Sequence, residues 1–422
     1  MNKARIAAIA LCLLMMVLPS LAIPFFQGRA TNEENRSLAD FPELWVEDEG
    51  LNGAFDRAFE EWLCDHFALR TQAVRANALL NYKLLHTSPN ADVIAGKGDW
   101  LYYAETAADY TGEGRLTDAE LATVAENLRA MGEALEARGA RLYLAVVPNK
   151  STVYPQYMPD RYPMRRDEGN IARLRAACEG LPVTWIDLEA TLRAAAQAEQ
   201  VYLRTDTHWN RWGAALCADA LLAAMGREPL NARVEGTERF DRGDLARLMG
   251  LSGVLAETAP AVRVDAELSG EDFSEHVLEL DGDGEGRLLV FRDSFGIAIG
   301  PYLTAPYGHS ELYWQTPLEV WHDCDDALIL VAERNIRMYL LEEPELEDPF
   351  ADEDYDDEDF DDEDFDEDYD DEEFDDEDID DEDYDDEEFD EDIDDEEFDD
   401  ADSEEVAYAR ALTGAGEGAY GI

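Results

Sequence analysis

Residues 287–296 read Arg287-Leu-Leu-Val-Phe-Arg-Asp-Ser-Phe-Gly296, and the fold assignment starts from this segment. The apolar run from Arg287 to Phe291 predicts a short buried strand, and Asp293 to Gly296 predicts the turn that ends it. A serine on such a turn lies at the carboxyl edge of a sheet. If a helix begins at Ser294, its first backbone N–H groups face the position of an oxyanion. Ser294 is therefore a candidate nucleophile, although Asp293-Ser294 is also typical of a simple helix cap.

A second segment reads Tyr202-Leu-Arg-Thr-Asp-Thr-His-Trp-Asn210. In an extended segment, residues i and i+2 project to the same side, so Asp206 can contact one imidazole nitrogen of His208. The other nitrogen is then free to accept the proton of a serine hydroxyl. Asp206, His208 and Ser294 together have the composition of an activated nucleophile for acyl transfer. The alternative is that His208 is an ordinary core histidine.

These segments resemble the AlgX/AlgJ-type SGNH-hydrolase-like family and the related DHHW proteins. The resemblance begins with Leu203 to Trp209 followed by Gly213-Ala214, and it extends in order over about Asn32 to Leu341. The other matching stretches are Glu34-Asn-Arg36, Leu38, Phe41-Pro42, Asp65-His-Phe67, Arg70, Gly98-Asp-Trp-Leu-Tyr102, Val147-Pro-Asn-Lys150, Tyr154-Pro155 and Glu333-Arg334.

The resemblance implies that Asp206, His208 and Ser294 form a triad that adds acetyl groups to an extracytoplasmic polysaccharide or removes them. It also implies a membrane-bound O-acyltransferase as the donor of the acyl group. The chain departs from the family at Asn210-Arg211, where the family often has Thr-Pro. This position is outside the triad, so the departure concerns specificity more than chemistry.

Three further residues are candidates for substrate binding. Asn149 and Lys150 follow a predicted strand, where Asn149 can donate to an oxyanion and Lys150 can hold a carboxylate or the acyl donor. A solvated turn is the alternative for both. Trp209 is predicted either to stack on a sugar ring or to pack in the core.

Strands alternate with helices along the body, which predicts an α/β fold with a parallel sheet and helices on both faces. Thr117 and Glu120 form a capping box, and the apolar residues that follow at intervals of three and four predict a helix that ends at Gly139. In such folds ligands bind beyond the carboxyl ends of the strands. The segments around Asn149, His208 and Ser294 are all predicted to lie there. Residues 227–286 have little periodicity and suit a substrate-shaping insertion.

Charge divides the chain into a body and a tail. The chain has 422 residues and a formal charge of −67, and residues 342–405 contribute 47 acidic groups with no Lys or Arg, which leaves −20 for the remainder. An acidic body argues against nucleic acid and anionic membrane surfaces as partners. The predicted division is an export segment at 1–26, a catalytic domain at 27–341, an acidic low-complexity tail at 342–405 and an unassigned segment at 406–422.

The amino terminus indicates export. Lys3 and Arg5 precede an apolar run from Ile6 to Phe26. A signal anchor is favoured over a signal peptide cleaved near Ser20-Leu-Ala22, and both remain open. The body is therefore expected outside the cytoplasm, either anchored as a single-pass membrane protein or secreted.

The five cysteines are too far apart for a zinc ribbon or a redox motif, and the sequence indicates no cofactor and no metal at the candidate site. Cys178 and Cys217 are predicted to be buried free thiols. In the tail, an aromatic residue or isoleucine recurs every four or five residues among Asp and Glu, which predicts disorder. A basic partner, a solvating role and weak calcium binding remain open for the tail.

The sequence thus predicts an O-acetyltransferase or acetylesterase that acts on a cell-surface glycan. The alternative is a non-catalytic glycan-binding or assembly protein of a surface-polysaccharide pathway. The acceptor glycan, the choice between transfer and hydrolysis, a possible disulfide and the oligomeric state are all left open by the sequence.

Overall fold

The computed structural model describes residues 39–46, 50–66, 70–165 and 168–347, together with Arg5. The predicted export segment lies outside the described residues except for Arg5, as do nearly all of the acidic tail and the whole of residues 406–422. Within the described ranges, no helix combines the length and the apolar character needed to cross a bilayer.

The strands are β1 (Trp45–Val46), β2 (Gly50–Leu51), β3 (Val93–Ala95), β4 (Leu101–Tyr103), β5 (Arg141–Val147), β6 (Thr184–Ile186), β7 (Arg233–Phe240), β8 (Glu257–Arg263), β9 (Val277–Asp281), β10 (Arg287–Arg292), β11 (His309–Tyr313) and β12 (Asp326–Ala332). The α-helices are Phe55–His66, Arg70–Leu80, Ala107–Thr111, Asp118–Ala137, Lys150–Val153, Asn170–Ala177, Leu188–Ala195, Arg211–Ala224, Asp244–Leu248, Phe295–Thr304 and Ile336–Leu340. Short 3₁₀ turns cover Ala104–Thr106, Pro155–Tyr157 and Glu333–Asn335, and a π-helical turn covers Asn81–Leu85.

The central sheet has six strands in the order β6-β5-β12-β10-β11-β9. The first five run parallel, and β9 is antiparallel to β11 at one edge. The predicted α/β fold with a mostly parallel sheet is therefore confirmed. Residues 227–286, which lack a clear sequence pattern, form the antiparallel pair β7 and β8, a short helix between them and the edge strand β9.

Alternation along the central strands creates two separate apolar cores. On β10, Leu288 and Val290 face one core, while Leu289 and Phe291 face the other. The first core contains the helices Leu188–Ala195, Arg211–Ala224 and Phe295–Thr304, and the second contains Asp118–Ala137, Asn170–Ala177 and Ile336–Leu340. Successive side chains of a strand point to opposite faces, so a sheet covered by helices on both faces needs apolar residues at nearly every position.

The helix Asp118–Ala137 forms as its sequence predicts. Thr117 accepts a hydrogen bond from the backbone N–H of Glu120, and the Glu120 carboxylate accepts from the Thr117 N–H. Gly139 ends this helix region in a left-handed conformation, with φ at +86°, that a residue with a Cβ rarely adopts. The helix positions the next strand, β5, whose carboxyl end carries Asn149 and Lys150.

The folded body continues beyond Leu341. The N–H of Glu345 donates to the carbonyl of Leu318, and the Val320 N–H donates to the carbonyl of Glu345. Leu346 packs against the second core. The first residues after Leu341 therefore pair with the domain, although their acidic character places them in the predicted tail.

Candidate active site

Ser294 lies at the carboxyl end of β10, where the strand passes into the helix Phe295–Thr304. Asp293 holds this turn, because its Oδ1 accepts from the Phe295 N–H at 3.0 Å and its Oδ2 accepts from the Ala332 N–H at 2.7 Å and from Asn335 Nδ2 at 2.8 Å. Ser294 occupies the cap position, yet its hydroxyl makes no capping bond. The carboxylate of Asp293 thus does the capping, and the Ser294 hydroxyl remains available to another partner.

Gly296 allows the turn after Ser294 to be this tight. A Cβ at position 296 would lie 2.1 Å from Cδ of Arg292, well inside the contact distance of two carbon atoms. The Arg292 side chain is fully buried, and its Nη2 donates to the Glu275 carbonyl at 2.6 Å. The lack of a side chain at position 296 lets the buried arginine and the helix start occupy adjacent space.

His208 is predicted to lie beyond the carboxyl end of a strand of the sheet, and it lies on a separate loop instead. The loop follows the helix Leu188–Ala195, so it does not end a strand of the central sheet. It is closed on itself instead, since Tyr202 and Trp209 form an antiparallel bridge and the Asn210 N–H donates to the carbonyl of Val201 at 3.0 Å. This small closed loop brings Asp206 and His208 to the same edge of the sheet as Ser294.

The three predicted catalytic side chains form one hydrogen-bonded chain. Asp206 Oδ1 is 2.9 Å from His208 Nδ1 and also accepts from the His208 N–H at 2.9 Å. His208 Nε2 is 2.9 Å from Ser294 Oγ. All three residues are buried. This arrangement allows the imidazole to accept the serine proton at one nitrogen while the carboxylate holds the other.

Burial shifts the pKa values of this chain in opposite directions. It lowers the pKa of His208 to about 3, since an imidazolium loses its hydration there. It raises the pKa of Asp206 to about 6, although the N–H groups of Asp244 and His208 donate to the carboxylate and favour its ionised form. Above pH 6 the imidazole is therefore neutral, which is the form that accepts a proton, and the Asp206 carboxylate is ionised.

Lys150 is buried beneath the histidine loop, and its ammonium group is engaged by the backbone of that loop. Its Nζ donates to the carbonyls of Leu203 at 3.0 Å and Arg204 at 3.3 Å, and also to the carbonyl of Asp206. These three acceptors match the three protons of the ammonium group. Burial lowers the Lys150 pKa to about 8. The placement favours a role in holding the loop over the predicted contact with a substrate carboxylate or acyl donor.

Asn149 lies at the end of β5 and is buried. Its Nδ2 donates to Asp109 Oδ2 at 2.9 Å, and its backbone N–H donates to Glu333 Oε2 at 3.0 Å. One of the two amide protons is thus used by Asp109. Burial raises the pKa of Glu333 to about 7, with the charge of Asp109 as a further cause. The role of Asn149 toward an oxyanion stays a prediction.

Trp209 has no exposed surface, and its ring contacts Phe295 edge-on with the ring centres 5.3 Å apart. A sugar ring stacks on an aromatic side chain only where one face of that side chain is accessible. The structure therefore favours the core-packing alternative for Trp209 over the predicted sugar contact.

Two acidic residues at the site come from the segment that the sequence left unassigned. Glu257 accepts from the N–H groups of Arg204 and Thr205, both at 2.8 Å, and from Thr205 Oγ1 at 2.7 Å. Asp244 also contacts the loop, and its N–H donates to Asp206 Oδ2 at 2.9 Å. β7, β8 and the helix between them bring both residues back to the loop. Their distance from His208 along the sequence therefore gives no sign of the contact.

Asp206, His208 and Asp244 also form the one group of described residues whose ligand atoms lie close enough together to hold a metal ion, within 4.8 Å of one another. The same atoms are used in hydrogen bonds inside the site. His208 Nδ1 and Asp206 Oδ1 are paired, and Asp244 accepts from the side chain of Thr207. This pairing fits a proton relay without a metal.

The cysteines of the described residues add no redox centre. Cys64, Cys178, Cys217 and Cys324 are free, and Cys178 and Cys217 are buried as predicted. Burial raises the pKa of the Cys178 thiol to about 12, so this thiol stays protonated at neutral pH.

Comparison with known proteins shows which proteins this chain resembles. Residues 93–289 match the family model ALGX, which is described as an SGNH hydrolase-like domain of the acetyltransferase AlgX. This match confirms the resemblance to the AlgX/AlgJ-type SGNH-hydrolase-like family that the motifs indicate. Ser294 lies five residues beyond the end of this range.

The chain is similar to proteins named probable alginate O-acetylase AlgJ. The relative from Pseudomonas syringae pv. tomato is 31% identical over 217 residues, which cover 50% of this chain and 54% of the relative. The relative from Pseudomonas aeruginosa is 32% identical over 222 residues, with coverage of 50% and 54%. The chain therefore spans about half the length of the curated relatives that it matches. The solved O-acetyltransferase domain of Pseudomonas putida AlgJ aligns with 58% of this chain and 92% of that domain, at 21% identity and a TM-score of 0.40.

The Lys150→Met variant tests whether Lys150 holds the loop. We expect the free energy of unfolding to fall by about 3 kcal/mol or more, because three buried carbonyls lose a charged donor. Urea denaturation monitored by circular dichroism measures this change. Lys97 is the matched control, since it forms an exposed ion pair with Asp160, and Lys97→Met should stay within about 0.5 kcal/mol of the wild type. A Lys150→Met protein of unchanged stability would contradict the loop-holding role.

Proposed function

We propose that this chain is an O-acetyltransferase or acetylesterase that acts on an extracytoplasmic cell-surface polysaccharide, with Ser294 as nucleophile, His208 as general base and Asp206 as the residue that orients His208. The observation that carries the proposal is the continuous chain of hydrogen bonds from Asp206 through His208 to Ser294, in which both bonds are 2.9 Å long. Hydrogen-bonded nucleophile, base and orienting acid are the geometric features by which such triads are recognised on unrelated folds.

In the first half of the reaction, Ser294 Oγ attacks the carbonyl carbon of an acetyl ester. The hydroxyl proton passes to His208 Nε2, and Asp206 stabilises the imidazolium through Nδ1. When the tetrahedral intermediate collapses, His208 returns the proton to the departing alkoxide, and acetyl-Ser294 remains. In the second half, a sugar hydroxyl or water gives its proton to His208 and attacks the acetyl group. Ser294 takes the proton back as its ester breaks, so a sugar acceptor yields transfer and water yields hydrolysis.

For the oxyanion we propose the Ser294 N–H together with one amide proton of Asn149. Two neighbouring donors at the helix start are already engaged, because the Phe295 N–H donates to Asp293 Oδ1 and the Gly296 N–H donates to the Asp293 carbonyl at 2.9 Å. The Asn149 amide is oriented by its bond to Asp109 and has a second proton for the intermediate. One donor of this kind typically contributes about 10²- to 10³-fold to the rate.

The polysaccharide substrate is proposed from the relatives, whose names describe them as alginate O-acetylases. The membrane-bound donor of the acetyl group is proposed from the family resemblance alone. The location outside the cytoplasm, by anchoring or secretion, is proposed from the basic and apolar amino terminus. The acceptor glycan itself is a matter for experiment.

One observation favours the second candidate, a non-catalytic glycan-binding or assembly protein. Ser294 has no exposed surface, so a substrate reaches its hydroxyl only after neighbouring groups move. A protein of this fold that only binds a glycan would not require this movement, because its ligand need not reach the Ser294 hydroxyl. The two candidates differ in whether Ser294 reacts with an ester.

The Ser294→Ala variant tests the catalytic proposal. We expect it to lose hydrolysis of p-nitrophenyl acetate by roughly 10³-fold or more, because the nucleophile and its base act as a unit. The melting temperature should stay nearly unchanged. Ser151 is the matched control, since its side chain is buried and its Oγ has no hydrogen-bond partner among the described residues. Ser151→Ala should keep both the rate and the stability, and equal rates for the two variants would favour the binding protein.

The pH profile of the same reaction tests the protonation states. We expect kcat/KM to rise with pH through about 6 and then to level, because Asp206 must lose its proton to hold His208 in the reactive orientation. Replacing Asp206 by Asn should remove this rise and leave a low rate at every pH. A wild-type rate that is independent of pH between 5 and 7 would contradict the assignment of Asp206.

A further inference from the structure

Asp244 lies against the histidine loop, although no motif connects the two. It is the first residue of the short helix Asp244–Leu248, and its carboxylate faces Thr207 and His208. Asp244 Oδ1 accepts from the Thr207 N–H at 2.7 Å, and Oδ2 accepts from the Thr207 hydroxyl. Oδ2 is also 3.6 Å from His208 Nδ1. A second carboxylate therefore stands beside the nitrogen that Asp206 holds.

The backbone around Asp244 fits closely against the loop. A Cβ at Gly243 would lie 2.2 Å from the carbonyl oxygen of Thr205, so this approach requires glycine at position 243. The Ala246 N–H donates to the same Thr205 carbonyl at 3.1 Å, and the Asp244 N–H donates to Asp206 Oδ2 at 2.9 Å. These contacts fix the distance between the Asp244 carboxylate and the imidazole.

The hydroxyl of Thr207 links this carboxylate to the histidine. Thr207 Oγ1 is 3.0 Å from His208 Nδ1, and the hydroxyl has a single proton. Burial and the charge of Asp206 raise the pKa of Asp244. Above that pKa the Asp244 carboxylate only accepts, so it takes the Thr207 proton, and Thr207 Oγ1 then presents a lone pair to His208 Nδ1. The proton between Thr207 and His208 must therefore be on Nδ1. A Thr207 hydroxyl that turned toward Nδ1 would favour the other tautomer, with the proton on Nε2.

We propose that Asp244 is a positioning residue that selects the tautomer of His208 through the Thr207 hydroxyl. Only the tautomer protonated at Nδ1 leaves Nε2 free to accept the proton of Ser294. The effect of Asp244 on catalysis therefore rests on the proposed function. Asp206 and Asp244 then share the orientation of His208, and both face the positive charge that develops on the imidazole during the reaction. Asp244 does not touch the reacting atoms, so it acts through Thr207 and His208.

The Asp244→Asn variant tests this directly. An Asn side chain that keeps its oxygen on the Thr207 N–H places its NH₂ group toward the Thr207 hydroxyl, and the hydroxyl is then turned to donate to His208 Nδ1. We expect the fraction of His208 protonated at Nε2 to increase, as measured by ¹⁵N chemical shifts of the imidazole in protein labelled at histidine. The His208 signals are identified by their absence from the His208→Gln spectrum. We expect kcat for p-nitrophenyl acetate to fall about 10- to 100-fold with KM nearly unchanged, as loss of orientation at a triad histidine affects the chemical step.

Asp265 provides the matched control, because it is an exposed aspartate in the same segment that pairs with Arg233. Asp265→Asn should leave both the imidazole shifts and kcat unchanged. Thr207→Val should lower kcat several-fold, since it removes the hydroxyl link, and Thr207→Ser should restore it. These two variants keep the Asp244 carboxylate and so answer the question even where Asp244→Asn fails to fold.

The two proposals fail in distinguishable ways. If wild-type protein hydrolyses no ester but the Asp244→Asn variant shifts the tautomer, the positioning role stands and the catalytic function falls. If Asp244→Asn keeps the wild-type tautomer and kcat, or if Thr207→Val keeps the wild-type kcat, the positioning role is overturned. The positioning role is also overturned if EDTA abolishes activity and changes the His208 shifts and if added zinc restores both. Asp206, His208 and Asp244 would then be metal ligands.

Discussion

The hydrogen bond between His208 Nε2 and Ser294 Oγ joins two segments that are 86 residues apart, and the surrounding structure serves to keep its two ends in place. Ser294 is fixed by the sheet, because β10 lies between β11 and β12 and Asp293 fastens the turn to Ala332 on β12. His208 is fixed by a loop outside the sheet, and that loop depends on buried charged groups beneath and beside it. The bond thus connects the rigid core of the domain to a separately anchored loop.

The anchoring of the loop explains why so many ionisable groups are buried or half-buried near one histidine. Lys150 binds three of its carbonyls, Glu257 binds two of its N–H groups, and Asp244 binds the Thr207 N–H. Each buried charge is costly unless it is paired, and here the partners are the backbone groups of the loop itself. The loop therefore keeps its shape without a regular secondary structure, and this shape determines where His208 points.

The parallel strands of the central sheet and the long helix Asp118–Ala137 could be predicted from sequence because their signals are local. The apolar run before Ser294, the capping box at Thr117 and Glu120 and the Asp206-x-His208 spacing each lie within a few residues. The roles of Lys150 and Trp209 depend instead on burial, which neither residue type reveals, and Asp244 reaches the site through the fold of residues 233–263. Contacts of this kind are set by tertiary packing across tens of residues, so no spacing in the sequence indicates them.

The central claim is that Ser294 carries the acetyl group between donor and acceptor. The most direct test is rapid acid quenching of the protein during turnover of an acetyl ester, followed by peptide mass spectrometry. The account predicts an acetyl group on the hydroxyl of Ser294 in wild-type protein, and little or none when His208 is replaced, since the attack of Ser294 needs the base. Turnover of the ester with no acetyl group on the peptide containing Ser294, or with the group on another residue, would contradict it.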